Sequence, residues 1–269
     1  MNPAQLTTFA ISLPVHLGTE TEAGLVQSNG PIEGTAFPLG GEFLLTAGHV
    51  VEELIASQAA GRGVPTVGIV HPESFEHLGI RISEFEVLAK DIGLLRVNFD
   101  SRDQENWLFP LFWDPFTHTL GEAVRSPGFA YGDHRVGDAR YLVQRSFQGS
   151  IVANIDAYLP VGYSCDPFGV FELSFAAPRG HSGAPLLHMN GRVMGVVIGN
   201  SKSRMRILDS EDIDESSGTR TIIEQYESLT LGVAVRAADV LAMHSSMLNK
   251  SIWQFVAEAD RVKDHVPTA

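Results

Sequence analysis

Residues 179–187 read RGHSGAPLL and place Ser182 between His181 and Gly183. A serine hydroxyl is a weak nucleophile at neutral pH, and it becomes reactive when a base lies within hydrogen-bond reach and a third group orients that base. Acyl transfer also needs N–H donors directed at the oxyanion that develops. Because glycine lets the chain bend sharply, the N–H groups of Gly180 and Ser182 could turn toward one point. The segment indicates either a nucleophile loop or an ordinary turn serine.

A histidine and an aspartate earlier in the chain could supply the base and its orienting group. His49 follows the strand-like EFLLTAG and begins the helix-like HVVEEL, which places it at a strand end. Asp91 stands at the start of the apolar run IGLLRV, where a carboxylate needs a partner because burying an unpaired charge is costly. Three further acids in more polar settings compete for the same role: Asp100, Asp103 and Asp114.

The order of the three candidates along the chain discriminates between known arrangements. His49, Asp91 and Ser182 follow the chymotrypsin order, and neither the subtilisin order nor the α/β-hydrolase order. Ala184 replaces the closing glycine of the G-x-S-x-G elbow, so that motif is not matched. Cys165 has no adjacent histidine and no glycine turn, so we do not expect it to be the nucleophile.

Composition and charge exclude several classes of protein. With 44% hydrophobic and 19% charged residues over 269 positions, the chain can bury a sizeable core as one unit or two subdomains. A net charge of −13 without basic runs argues against a nucleic-acid partner. There is one cysteine, no convincing signal peptide and no apolar stretch that could span a membrane. We therefore expect a cytoplasmic protein that has no membrane partner.

Short apolar runs separated by glycine and proline predict an all-β fold. The runs are IEGTAFPLG, EFLLTA, TVGIVH, FEVLA, IGLLRVNF, YLVQRSF, SIVANI, VFELSFA, APLLHM, RVMGVVIG and TLGVAV. Asn190 and Gly191 lie between two of these runs and predict a two-residue hairpin turn in which both residues take positive φ.

Two other segments differ from this strand pattern. The stretch 237–264 lacks glycine and proline, and its apolar spacing predicts an amphipathic helix that packs on the body. The apolar face would comprise Val240, Met243, Met247, Ile252, Phe255 and Val256. LDSEDIDESSG carries five acids, at Asp209, Glu211, Asp212, Asp214 and Glu215. It predicts a solvated loop; a calcium site is the alternative, although the glycine and closing glutamate are misplaced for an EF-hand.

Motifs in a shared order make the chain resemble the trypsin-like serine peptidases of the chymotrypsin fold, nearest to the HtrA-type peptidase domain without a PDZ module. They are GTAF at 34–37, LLTAGHVVEE at 44–53, DIGLLRV at 91–97, GEAVRSPGFAYG at 121–132, QGSIVANI at 148–155, GHSGAPLL at 180–187, GRVMGVVIG at 191–199 and LGVAVRAADV at 231–240. The resemblance implies two six-stranded antiparallel β-barrels with the active site in the cleft between them. It divides the chain into 1–110, 111–238 and a helical extension at 239–269.

The resemblance also assigns roles by motif position. It implies His49 as general base, Asp91 as its orienting acid and Ser182 as nucleophile, with oxyanion donors at the N–H groups of Gly180 and Ser182. The substrate is then a protein or peptide, cleaved without a metal or cofactor. Ala176 would lie at the base of the substrate pocket, between walls formed by residues 198–200 (Ile198, Gly199 and Asn200) and 232–234. No acid projects there, so we expect small or medium apolar residues before the cleaved bond rather than Lys or Arg.

Departures from the family pattern leave a second interpretation open. His181 stands where trypsin-like zymogens carry Asp and HtrA-type enzymes carry Asn, so we do not expect activation by insertion of a new N-terminus. Ile198 stands where digestive enzymes have a serine that contacts the buried Asp, so that supporting hydrogen bond is not expected here. The alternative function is an inactive or partner-activated interaction module, with the acidic segment and the C-terminal helix as control elements. Esterase chemistry is a third possibility.

Overall fold

A computed structural model of the protein describes residues 12–20, 26–27, 31–70, 77–99, 110–116, 118–131, 133–136, 139–159, 166–214 and 219–258. No helix within these ranges has the length and apolar character needed to cross a bilayer. Three residues considered above, Cys165, Asp100 and Asp103, lie outside the described residues.

The first half of the chain closes into an antiparallel barrel. Its strands are β1 (Leu13–Glu20), β2 (Val26–Gln27), β3 (Ile32–Gly40), β4 (Phe43–Ala47), β5 (Val64–Val70), β6 (His77–Leu88) and β7 (Ile92–Val97). They are ordered β2-β1-β3-β4-β7-β6-β5, and pairing of β1 with β5 closes a six-stranded ring while the short β2 bridges β1 and β6. Helix α1 (Gly48–Ala59) follows β4 and buries Val50, Val51 and Leu54 against this barrel.

The second half closes into another six-stranded barrel. Its strands are β8 (Ala123–Gly128), β11 (Arg145–Tyr158), β12 (Phe168–Leu173), β13 (Pro185–His188), β14 (Val193–Asp214) and β15 (Thr219–Arg236), and a small hairpin joins β9 (Asp133–Val136) to β10 (Ala139–Leu142). The ring order is β11-β12-β15-β14-β13-β8. The expectation of two antiparallel six-stranded barrels is therefore confirmed.

The hairpin between β13 and β14 forms where it was predicted, but with a different turn. The Gly191 N–H donates to the His188 carbonyl at 2.9 Å, and the His188 N–H donates to the Arg192 carbonyl at 2.9 Å. Of the two turn residues only Gly191 has positive φ, at 88°. The loop is therefore the three-residue kind, in which a turn is followed by a glycine in the left-handed region.

The acidic segment is strand rather than loop as far as it is described. β14 continues to Asp214 and pairs with β15 from Asp209 opposite Glu224 to Asp214 opposite Thr219. Pairing satisfies the backbone N–H and C=O groups of both strands, and it forms here despite the acidic composition. The loop prediction is wrong for Asp209, Glu211, Asp212 and Asp214, and Glu215 lies outside the described residues.

The C-terminal region contains the expected helix, but it is not continuous. Helix α2 (Ala237–Leu241) is followed by a hairpin of β16 (His244–Ser245) and β17 (Lys250–Ser251), and then by helix α3 (Ile252–Glu258). The apolar face forms nevertheless: Val240, Ile252 and Val256 are fully buried in the core that includes the first barrel.

Glu86 on β6 explains the interruption between the two helices. Its carboxylate accepts hydrogen bonds from the hydroxyl of Ser245 at 2.5 Å and from the N–H of Ser246 at 2.7 Å. Burial of Glu86 raises its pKa, but these bonds, together with one from the Met247 N–H, outweigh burial and lower the pKa overall. Because one carboxylate accepts hydrogen bonds from several consecutive residues, it stabilises a turn where apolar spacing alone predicts a helix.

Candidate active site

Asp91 lies in the turn between β6 and β7, where its carboxylate points back to helix α1. Its side chain is 5% exposed. Oδ1 accepts the backbone N–H of His49 at 2.8 Å, and the Asp91 carbonyl accepts the N–H of Gly48 at 2.9 Å. These bonds attach the turn to the first residues of the helix. They also satisfy a backbone donor that has no partner within the helix.

His49 completes this contact through its ring. Nδ1 lies 2.9 Å from Asp91 Oδ2 and 3.1 Å from Oδ1. Because the ionised carboxylate only accepts, Nδ1 carries the hydrogen and the Nε2 lone pair is left to take up a proton. The His49 side chain is 36% exposed, so the ring is held on one side and accessible on the other.

The turn that presents Asp91 is strained and is held by an ion pair. Lys90 and Asp91 have φ values of 60° and 57°, a left-handed conformation that costs roughly 1–2 kcal/mol per non-glycine residue. Lys90 Nζ lies 2.5 Å from Asp239 Oδ1 at the start of α2. Asp239 also accepts from Arg236 Nε at 3.1 Å, and Arg236 pairs with Asp156 at 2.7 Å. A chain of charges thus links the acid's turn to the end of β15.

In the serine turn, residues 179–183, the four carbonyl groups from Arg179 to Ser182 each accept a hydrogen bond. The Arg179 carbonyl accepts from the Tyr131 N–H at 2.8 Å, and the His181 carbonyl accepts from the Ala184 N–H at 3.0 Å. The carbonyl groups of Gly180 and Ser182 accept hydrogen bonds from Thr35, a residue of the first barrel. Each peptide plane around Ser182 is therefore held by a hydrogen bond.

Two N–H groups of the same turn have no acceptor among the described residues. The peptide bonds are trans, so each N–H points away from the carbonyl of the preceding residue. The N–H groups of Gly180 and Ser182 consequently face opposite to the bound carbonyls of Arg179 and His181. Neither donates to any described group, whereas the neighbouring N–H groups of His181 and Gly183 do, at 2.9 and 2.7 Å. Two unpaired donors of this kind can bind a negatively charged oxygen.

Thr35 on β3 joins the serine turn to the first barrel. Its backbone N–H donates to the Ser182 carbonyl at 2.8 Å, and its hydroxyl donates to the Gly180 carbonyl at 2.7 Å. The same hydroxyl accepts the Phe129 N–H at 3.0 Å. Thr35 is fully buried, so each of these bonds is shielded from water.

The serine turn approaches the strand that leads to His49. Gly183 has a φ of 88°, and a Cβ at this position would lie 2.1 Å from the Thr35 carbonyl and 2.8 Å from the Ala47 nitrogen. Only glycine permits that proximity. Ser182 and His49 thus lie on adjoining segments. Among the hydrogen bonds of the described residues, none joins the Ser182 hydroxyl to His49. Such bonds in unliganded proteases are often long and tighten only when substrate binds.

The residues predicted to form the pocket lie in different environments. Ala176 is exposed and Ile198 is 7% exposed, with its side chain in the core. Gly199 has open space where a side chain would project. Asn200 bridges to the segment before the serine turn, because its Oδ1 accepts the Ala177 N–H at 2.7 Å and its Nδ2 donates to the Ala177 carbonyl at 2.7 Å.

His181 is fully buried beside Ser182. Its Nε2 lies 2.9 Å from the hydroxyl of Ser126 on β8, and its ring contacts Phe147 edge-on at 4.9 Å. Burial lowers the pKa of His181 to about 4, so the imidazole is neutral at pH 7. The position that carries an acid in zymogens therefore carries an uncharged base here.

Comparison with known proteins places this geometry in a family. Residues 34–196, more than half of the chain, match the family described as trypsin-like peptidase domain. The chain belongs to the trypsin-like peptidase family. It is a trypsin-like serine protease, a hydrolase of peptide bonds, as the sequence motifs indicated. No curated protein has a sequence that matches this peptidase.

Solved structures share the fold of this peptidase at low identity. The active form of the Rv3671c protease from M. tuberculosis is 18% identical, with 89% of this chain and 81% of that chain covered and a TM-score of 0.51. The MamO protease domain from Magnetospirillum magneticum is 14% identical, with 87% and 95% covered and a TM-score of 0.54. The HtrA-type protease AlgW with a decapeptide is 14% identical, with 97% and 68% covered and a TM-score of 0.50.

Several residues of the site were not identified from sequence. Thr35 lies within the GTAF motif, Ser126 within 121–132 and Asp239 within 231–240, but none of the three was given a role. Burial raises the pKa of Tyr158, and the charges of Asp91 and Glu172 raise it further. The competing acid Asp114 lies elsewhere, with Oδ1 3.9 Å from His118 Nε2.

We expect Thr35→Val to weaken both stability and activity of the peptidase. The change keeps the shape but leaves the Gly180 carbonyl and the Phe129 N–H buried without a partner, which costs about 1–3 kcal/mol per group. Urea denaturation and peptidase assays measure the two effects. Thr66→Val is the matched control, because Thr66 is equally buried but bonds only within its own strand, to the Val64 carbonyl. Equal behaviour of the two variants in both assays would contradict this role of Thr35.

We expect His181 to make the protein less stable as the pH falls. Its folded-state pKa of about 4 lies below the unfolded value near 6.5, so between these values the unfolded chain binds a proton that the folded chain does not. The stability contributed by neutral His181 is therefore present above pH 6.5 and is lost toward pH 4, by about 3 kcal/mol. Urea denaturation of the wild type and His181→Phe at pH 7 and pH 4 measures the difference. Parallel pH profiles for the two proteins would refute it.

Proposed function

We propose that this peptidase is a serine endopeptidase that uses Ser182 as nucleophile, His49 as general base and Asp91 as the orienting acid. The observation that carries the proposal is the contact of the Asp91 carboxylate with both Nδ1 and the backbone N–H of His49. Two bonds to one residue define the position and the orientation of the imidazole together. The docking of the Ser182 turn against the strand before His49 supports the assignment of the nucleophile.

Acylation follows from the protonation states of these groups. Ser182 Oγ attacks the substrate carbonyl and forms a C–O bond, while its proton passes to His49 Nε2. Asp91 keeps the Nδ1–H tautomer in place and stabilises the imidazolium through its negative charge. His49 then gives the same proton to the leaving amine as the C–N bond breaks. The products of this half-reaction are the acyl-enzyme and a new N-terminus.

The N–H groups of Gly180 and Ser182 are the proposed oxyanion donors. Negative charge develops on the substrate oxygen during attack, and donors that are already oriented stabilise it without reorganisation. Water then repeats the sequence on the acyl-enzyme, with His49 as base, and releases Ser182. None of these steps assigns a task to a metal or cofactor.

Asn200 is the proposed determinant of a narrow substrate pocket. Its amide is bonded to both backbone groups of Ala177, so it joins one predicted wall of the pocket to the residue that follows the predicted base, Ala176. A side chain that bonds the wall to the base leaves little depth in the pocket. Together with the absence of an acid among the predicted pocket residues, this supports cleavage after small or medium apolar residues.

The cytoplasmic location is part of the same proposal, and so is the set of partners. A protein or peptide is the expected substrate, and a regulatory protein is a further candidate partner. The alternative of an inactive or partner-activated module makes a different prediction for the purified protein, because its Ser182 would not react without the partner.

We expect a fluorophosphonate probe to label Ser182 in the purified protein at pH 8. Ser182→Ala should abolish labelling, and His49→Ala should lower kcat for a peptide substrate by roughly 10⁴- to 10⁶-fold because the base is lost. His244→Ala changes an exposed histidine and is the control for loss of an imidazole. Unchanged cleavage by Ser182→Ala would falsify the assignment. A folded wild type that reacts only after a partner is added would favour the alternative function.

We expect Asn200→Gly to widen the range of residues accepted before the cleaved bond. Removing the amide frees Ala177 and deepens the pocket at its base, so kcat/KM for leucine relative to alanine should rise about tenfold or more. Asn200→Gln is the control, because it keeps both the amide acceptor for the Ala177 N–H and the amide donor for the Ala177 carbonyl. Cleavage of a peptide library by all three proteins provides the measurement. A wild type that prefers Lys or Arg would overturn the pocket assignment.

A further inference from the structure

Two linked hydrogen bonds in the second barrel, here called the relay, join His181 to Ser126 and Ser126 to Pro185. The Ser126 hydroxyl donates to the Pro185 carbonyl at 2.9 Å, so its hydrogen is committed and its oxygen is left to accept. His181 Nε2 lies 2.9 Å from that oxygen and must therefore carry the hydrogen. One serine on β8 thus binds the residue before Ser182 and a residue three positions after it. Ser126 is fully buried, as is His181.

The other ring nitrogen of His181 has no partner. Nδ1 is buried, and no described group forms a hydrogen bond with it. A Cβ on Gly128 would lie 2.6 Å from Nδ1 and 2.9 Å from Cε1, so backbone without a side chain occupies that side of the ring. A second proton on the imidazole would have no acceptor there. The packing therefore selects one neutral tautomer, with hydrogen on Nε2.

The imidazole attaches to β8 the residue that lies between the two unpaired N–H groups. His181 lies between the two N–H groups: its own peptide bond carries the Ser182 N–H, and the preceding residue, Gly180, carries the other. The His181 side chain is the only part of the turn that reaches β8 through a described side-chain hydrogen bond. Thr35 holds the carbonyls of the same turn from the first barrel. With the ring displaced, His181 and its neighbours would shift, so the two N–H groups would no longer face the oxyanion.

We propose that neutral His181, bonded through Nε2–H to Ser126, is the positioning residue that keeps the N–H groups of Gly180 and Ser182 directed at the oxyanion. The inference rests on the proposed function. In this proposal an uncharged hydrogen bond within the second barrel, which Ser126 accepts, holds the serine turn in the shape in which both N–H groups face the oxyanion.

Two variants test the proposal by different routes. Ser126→Ala removes the acceptor, whereas Gly128→Ala removes no hydrogen-bonding group and displaces the ring sterically. In both we expect kcat for a peptide substrate to fall roughly 10- to 1,000-fold with KM changed less than threefold, since loss of one oxyanion donor costs up to that amount. Ser126→Thr retains the hydroxyl and should recover most of the activity. Ser57→Ala, which removes another buried serine hydroxyl on α1, is the control.

An oxyanion-specific readout separates positioning from general damage. A peptide aldehyde forms a tetrahedral adduct and needs the two N–H donors, whereas the matching peptide alcohol does not. Ser126→Ala should raise the inhibition constant of the aldehyde by about the factor by which kcat falls. The affinity for the alcohol should be unchanged. The proposal would be overturned if both variants had the kcat of the wild type, or if the affinities for the aldehyde and the alcohol fell by the same factor.

A measurement on the wild type applies even if both variants fail to fold. Nitrogen-15 spectra of the histidines at pH 7 should contain the signals of a neutral ring with hydrogen on Nε2 that disappear in His181→Phe and are thereby assigned to His181. A His181 ring protonated on Nδ1 at pH 7 would refute the relay. Fluorophosphonate labelling of the wild type keeps the two proposals distinct: without labelling the proposed function fails, and with labelling but unimpaired variants only the relay fails.

Discussion

Thr35 binds the backbone on both sides of His181, and the remainder of the site depends on that contact. Its N–H and hydroxyl hold the carbonyls of Ser182 and Gly180, while the hydroxyl also receives a donor from Phe129 in the second barrel. One buried residue of the first barrel thereby sets the distance to the serine turn. The Asp91–His49 pair depends on the same strands, because β3 and β4 are neighbours and α1 starts where β4 ends. A shift at Thr35 would therefore move Ser182, the proposed nucleophile, relative to His49, the proposed base.

The two halves of the site are stabilised by different physical means. The Asp91 carboxylate contacts the His49 ring, and an ion pair with Asp239 holds the strained turn that presents Asp91. The serine turn is stabilised almost entirely by neutral hydrogen bonds within the protein interior. Neutral bonds avoid the cost of burying a charge, provided that every donor and acceptor has a partner. Among the described residues, the backbone N–H groups of Gly180 and Ser182 have no acceptor, and the buried side-chain atom of the turn without a partner is Nδ1 of His181.

Local pattern was sufficient to predict much of the fold and the principal side chains. β3 coincides with the apolar run IEGTAFPLG, and Asp91 and His49 lie together as their places beside strand ends suggested. β1 was not among the predicted strands; it pairs with β3, where Pro14 lies opposite Thr35, and the register shifts between Val15 and His16. Thr35 could not have been assigned its role, because its partner Gly180 is 145 positions away. The C-terminal hairpin depends likewise on Glu86, which no local pattern around residue 245 reveals.

The C-terminal segment also constrains how the chain can fold during synthesis. Ile252 and Val256 of α3 are buried in the core of the first barrel, and Phe43 of that barrel contacts Phe255 edge-on at 5.5 Å. The counter-ion of Lys90 comes from α2. On the ribosome, the first barrel would therefore emerge early yet lack these contacts until residue 258 had left the exit tunnel. Nascent chains would then carry an incompletely packed Asp91 turn, and competence for proteolysis would arise only after the second barrel had been made.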